Sequence, residues 1–170
     1  MPLNASLVER VAYLETIEAI RRLFFDYTWA LDHADTDGIV AQFADDGVFE
    51  FGGAAWAGHE RIRTYFTEDR KSHTGMLHYP VNIVVDVDVP ADESPRTARG
   101  RATLLDLFNR VTPDGPQGMV LTGYYDLSAR RERNGSWKIA RLEVITTWIV
   151  PAGQAWRMLA DFQSRPELRP

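Results

Sequence analysis

The sequence predicts an α+β domain: N-terminal helices wrapped against a cone-shaped barrel, a curved and mostly antiparallel sheet. Three observations predict it. Apolar residues recur at steps of three and four early in the chain and alternate later. The two kinds of segment are segregated, so repeated βαβ units are excluded. The long alternating runs are joined by turn residues, as hairpins are. A bent sheet under helices leaves an open mouth, where pockets form.

The first helix is read over residues 4–15, with Asn4 or Ser6 as its cap and Leu7, Val11 and Leu14 on one side. A second helix follows over Thr16–Asp32, TIEAIRRLFFDYTWALD, with an apolar stripe at Ile17, Ile20, Leu23, Phe24, Tyr27 and Leu31. HADTDG breaks it, and Thr36 or Asp37 caps a short third helix through Phe43. Asp45-Asp46-Gly47 turns the chain into a strand at Val48–Phe51; Gly52–Gly58 is a loop holding Trp56. GHERIRTYFTEDR reads as another helix. Strands follow at Leu77–Val89, Thr97–Val111, Met119–Arg131 and Ser136–Val150. Ala91–Pro95 is a polar turn, Thr112–Gly118 a hairpin loop, and Asn134-Gly135 the strongest hairpin signal. The barrel domain spans residues 1–150, and 151–170 is a tail with one or two amphipathic turns around Trp156, Leu159 and Phe162.

Composition narrows the function. At 170 residues the chain makes one domain with a real core. A net charge of −5 argues against a basic nucleic-acid-binding face. With no cysteine there is no disulfide, thiolate nucleophile or zinc–cysteine site. The start, MPLNASLVERVAYLE, lacks the apolar core of a signal peptide, and no apolar run approaches ~18 residues, so neither export nor a membrane span is expected. A cytoplasmic location is compatible. His and acidic residues are not at ligand spacing, so no metal is expected, and no cofactor motif is present.

Tyr27 sits in the helical stripe and Asp32 closes it. His78 lies in MLHYPVNIVV, where strand parity puts His78, Asn82, Val84 and Asp86 on one face. A carboxylate on one imidazole nitrogen fixes the tautomer and frees the other nitrogen to take a proton. A nearby phenol donates to a carbonyl or a leaving hydroxyl. Tyr27, Asp32 and His78 thus suit proton abstraction, elimination or isomerisation without a metal. His33, His59 and His73 lie in or beside loops and are read as surface or satisfied core residues. Phe24, Trp56, Tyr125, Leu142 and Trp148 either line a pocket with Asn82 or pack in a core or an interface.

The pieces YTWALDHAD, IVAQFADDGVFEF, GHERIRTYF, HYPVNIVVDVD and GSWKIARLEV resemble, in this order, the SnoaL-like branch of the nuclear transport factor 2-like superfamily. The resemblance covers roughly residues 8–150, most specifically in FADDGVF followed by a loop and G-x-x-x-I-R. It implies a cone-shaped α+β barrel, often dimeric through its sheet face, hosting dehydratases, isomerases, polyketide cyclases, epoxide hydrolases and non-catalytic binders. In members resembling scytalone dehydratase, bile-acid 7α-dehydratase and hexachlorocyclohexane dehydrochlorinase, a His–Asp pair performs elimination. Asp32 and His78 stand at the matching positions, and Tyr27 matches the bile-acid dehydratase type. Arg141 is one residue off the dehydrochlorinase arginine, with Leu142 in its place. Asp106 is the only central-strand acid that matches an isomerase role. The resemblance implies a cofactor-independent dehydratase-type lyase for a small hydrophobic, hydroxylated, polycyclic or polyketide-like substrate. An isomerase or cyclase, or a binding protein without chemistry, are the alternatives, and a homodimer is expected.

Overall fold

The computed structural model describes residues 6–88 and 96–154. The proposed turn at Ala91–Pro95 and the tail turns around Trp156, Leu159 and Phe162 lie outside them.

The two helices read at the N-terminus are one, α1 (Leu7–Asp32). Ser6 caps it: its hydroxyl accepts from the Glu9 N–H at 3.3 Å, and the Glu9 carboxylate accepts from the Ser6 N–H at 2.6 Å, a capping box. Thr16 does not start a second helix. Its hydroxyl donates to the Ala12 carbonyl one turn back at 2.8 Å, so it is satisfied mid-helix. The cap of α2 (Thr36–Gln42) is Asp35, one residue before the candidates; its carboxylate accepts from Gly38 N–H at 2.8 Å. After β1 (Phe43–Phe51), the expected loop is a tight hairpin into a short strand, β2 (Ala54–Ala57). Gly52 and Gly53, with φ of +60° and +82°, supply the left-handed residues that such a turn requires. α3 (His59–Asp69) runs into one 3₁₀ turn at Arg70–Ser72.

Four long strands follow: β3 (His73–Asp88), β4 (Thr97–Thr112), β5 (Gly115–Arg131) and β6 (Trp137–Pro151). β3 begins four residues earlier than the β-branched run suggested. The β4–β5 connection is Pro113-Asp114 alone, closed by the Thr112 hydroxyl donating to the Gly115 carbonyl at 2.7 Å. The strands form one six-stranded sheet in the order β2-β1-β6-β5-β4-β3, antiparallel except for β1 beside β6. The sheet is curved and does not close; β2 and β3 are its edges.

One face of the sheet is buried. On β4 the inward residues are Ala98, Gly100, Ala102, Leu104, Asp106 and Phe108, every second position. α1 presses on this face: a Cβ at Gly100 would stand 2.6 Å from Phe24 Cε2, so only glycine lets the helix seat there. Bulges change the parity of strands that otherwise alternate. On β3, Thr74 is extra between His73↔Arg110 and Gly75↔Asn109, and one residue is extra between Val81↔Thr103 and Val84↔Arg101. On β6, Ala140 is extra between Ile139↔Ala129 and Arg141↔Ser128, and Thr147 between Thr146↔Gly123 and Trp148↔Thr122.

Candidate active site

Between α1, α3 and the inner face of the sheet lies a cavity of about 480 Å³. Its walls are mostly apolar or aromatic, including Leu31, Phe49, Phe66, Leu104, Leu121 and Val144, with Tyr27, Asp69, His73, His78, Asp106 and Tyr125 among the polar members.

Asp32 is the last residue of α1. Arg70 holds this helix end by donating to the Leu31 carbonyl, a cation on an otherwise open C-terminal carbonyl. The Asp32 carboxylate receives two groups from His78. The His78 backbone N–H donates to Oδ1 at 3.0 Å and Oδ2 at 3.2 Å, and ring Nδ1 lies 2.7 Å from Oδ1. An ionised carboxylate only accepts, so the proton sits on Nδ1 and the neutral ring carries its lone pair on Nε2. The pair is well shielded: the His78 and Asp32 side chains are 8% and 16% exposed.

Asp106 stands across from His78, its register partner, with Oδ2 3.6 Å from Nε2. Burial pushes its carboxyl up to about 6, helped by the charges of Asp32 and Asp69 and opposed by His78 and His73. Its Oδ1 is buried with no hydrogen-bond partner. Tyr27 and Tyr125 meet edge to face at 6.1 Å. Burial raises both phenols well above the ordinary tyrosine range, so they remain proton donors. Neither hydroxyl has a protein hydrogen bond among the described residues.

The other expected pocket residues are placed differently. Asn82 does not share the face of His78. It lies in the second β3 bulge with φ +53° and is exposed, and the bulge also turns Val84 and Asp86 outward. Trp148 is turned to the outer face by the Thr147 bulge and is 37% exposed. Phe24 and Leu142 are buried in the core, off the cavity wall. Trp56 stacks on Phe49 and Tyr65 behind the wall, at 5.8 and 4.1 Å. His73, beside the 3₁₀ turn, opens β3 and lines the cavity rather than facing solvent or packing in the core. Asp106 was legible as the one acid in the apolar register of β4. His73 carried no such signal, because the Thr74 bulge brings it inward. His33 stacks on Trp29 at the surface, and His59 reaches the Phe43 carbonyl, both away from the cavity.

A helix-covered curved sheet with a cavity over its inner face is the architecture of the nuclear transport factor 2-like superfamily. Within it, the chain belongs to the SnoaL-like domain family, whose profile matches residues 12–143. Solved structures agree on the fold. A proposed aromatic ring hydroxylase from Novosphingobium aromaticivorans is 26% identical, with a TM-score of 0.70 over 83% of this chain and 96% of that one. A proposed scytalone dehydratase from the same organism is 22% identical, with a TM-score of 0.71 over 83% and 90%. The hexachlorocyclohexane dehydrochlorinase LinA-type3 from Novosphingobium barchaimii is 20% identical, with a TM-score of 0.73 over 85% and 95%. No curated protein matches the chain. Among the described residues no helix is long and apolar enough to cross a membrane, and no His or acidic cluster is arranged to hold a metal.

Proposed function

We propose that the protein is a cofactor-independent lyase that eliminates water from a small hydrophobic, hydroxylated substrate of polycyclic or polyketide type. The observation that carries this reading is the 2.7 Å contact between His78 Nδ1 and Asp32 in a shielded cavity. His78 Nε2 takes a proton from a carbon next to an electron-withdrawing group. The electron pair forms the new C=C bond as the neighbouring C–O bond breaks, and the departing hydroxide takes the proton now carried by the His78 imidazolium, leaving as water and restoring the neutral ring. Asp32 holds the ring and stabilises the imidazolium that forms. Tyr27 donates a hydrogen bond to a substrate oxygen. Asp106 faces Nε2: ionised it stabilises the imidazolium, and protonated it donates from the carboxyl whose Oδ1 lacks a protein partner. Product mass tests the reaction. Loss of 18 mass units, about one water, on incubation with β-hydroxy ketones supports elimination. A product of unchanged mass supports isomerisation or cyclisation through the same base.

The outer face of the sheet supports self-association. Leu77, Tyr79, Leu105, Leu107, Tyr124, Ile145 and Trp148 form a continuous exposed apolar surface across four strands. Such a surface is large for a monomer, and a second copy covers it symmetrically. Light scattering should give twice the 19.3 kDa chain mass, and Tyr124→Lys should return it to the monomer value.

A further inference from the structure

We infer that the cavity has a second polar subsite, His73 with Arg110, that takes the carboxylate of an elongated apolar ligand. This rests on the reading of the cavity as a substrate pocket.

Strand parity makes the subsite possible. His73 and His78 are five residues apart and would face opposite sides of a regular strand. The extra residue Thr74 restores His73 to the inner face, opposite Arg110, while His78 stays opposite Asp106. Both histidines therefore line one cavity.

His73 is held as firmly as a binding group needs to be. Nδ1 is 3.0 Å from the Asp69 carbonyl and 3.5 Å from its carboxylate, and the ring stands edge-on to Phe108 at 5.0 Å. A carbonyl only accepts, so Nδ1 carries the proton and Nε2 is left for a ligand. The side chain is 13% exposed. Arg110 lines the cavity while the residue as a whole is exposed; it stands over the Phe108 ring at 6.0 Å and pairs with no carboxylate among the described residues. An unpaired guanidinium on an apolar wall suits a carboxylate, which it can grip with two N–H donors.

The spacing sets the ligand class. Arg110 and Asp106 are four residues apart on β4, about 13 Å of strand, with Phe108 between them. A rigid body of two or more fused rings, acidic at one end and oxygenated at the other, spans that gap.

Binding is linked to protons. The charged groups around His73 are Asp69 from α3 and Arg110 and Asp106 from β4, with His78 further along its own strand. A bound carboxylate offsets Arg110 and favours the His73 imidazolium, whose Nε2–H then donates to it. The acid should bind more tightly as pH falls, with proton uptake.

The test uses the full chain and two probes, 6-hydroxy-2-naphthoic acid and 2-naphthol, titrated by calorimetry in buffers of different ionisation heat. At pH 6 the acid should bind about tenfold more tightly than the phenol and take up protons, with the preference shrinking toward pH 8. Arg110→Gln should abolish the preference and leave 2-naphthol affinity within about twofold; His73→Asn should abolish the proton uptake. Equal affinity for the two probes, or equal weakening of both by Arg110→Gln, overturns the subsite. Histidine ring resonances separate this from the catalytic reading. If 2-naphthol shifts the His78 ring but the acid has no preference, the subsite falls and the lyase reading stands. If the preference is present while neither probe shifts His78, the subsite stands and the lyase reading falls. Failure of both probes to bind overturns both.

Discussion

Each end of the cavity has a histidine beside an aspartate, and the two pairs are built differently. Asp69 and His73 are four residues apart, and a helix end turning into a strand brings them together. Asp32 and His78 are 46 residues apart and meet only when α1 is seated against β3. The local pair is a by-product of a turn; the distant pair has to be imposed by the whole fold. Backbone marks the difference too. Asp32 accepts the His78 peptide N–H as well as its ring, whereas Asp69 receives the His73 ring mainly on its own carbonyl. A carboxylate is free to stabilise an imidazolium as it forms; a carbonyl only orients the ring. In the function proposed above, the first pair moves the proton and the second recognises the ligand.

The largest effect should come from breaking the first pair. Removing the base with His78→Ala should lower turnover by about 10³-fold, followed by product mass, while far-ultraviolet circular dichroism stays unchanged. His73→Asn should lower it less than about threefold; equal losses in the two variants would erase the distinction between the ends. Asp32→Ala leaves the His78 N–H and ring nitrogen without their acceptor, and should cost about 1–3 kcal/mol in urea unfolding along with most activity.

Asp106 sharpens the comparison through pH. The folded protein holds its proton up to about pH 6, while an unfolded aspartate releases it near 3.8. The native state therefore binds more protons in that window, and the wild type loses stability as pH rises through it. Asp106→Asn should then be more stable than wild type at pH 7, by up to about 3 kcal/mol, with the gain gone near pH 4. Urea midpoints at the two pH values measure this; a gain that persists at pH 4 would point to packing instead. The smallest effect is expected at Tyr27→Phe. Its hydroxyl has no protein partner among the described residues, so stability should change by less than about 0.5 kcal/mol while turnover falls, separating a substrate contact from a structural one.

Much of this arrangement was legible in the sequence, because its carriers are periodic. The segregated periods announced the α+β order, and the helical stripe ending at Asp32 placed that residue at a helix terminus. Alternation on β4 runs through Ala98, Ala102, Leu104 and Phe108, and Asp106 stands in that register. What escaped has one cause above others. Counting in twos points Asn82 inward, leaves Trp148 open between pocket and interface, and gives His73, beside a loop, no face at all. Each lies beside a bulge, and an extra residue reverses every later side chain until the next one. Phe24 and Leu142 illustrate a second limit. An apolar stripe marks the buried side of an element but does not distinguish a cavity wall from solid core.

The Thr74 bulge has a consequence for how this scaffold can change over generations. Deleting that one residue would rotate His73 out to solvent and leave every pair from Gly75 to Val81 in place. The grip on a ligand's far end and the chemistry at its near end therefore sit on opposite sides of a hinge in the reading frame of one strand. A lineage can exchange the first without retuning the second, so one reaction can be offered to many differently shaped molecules.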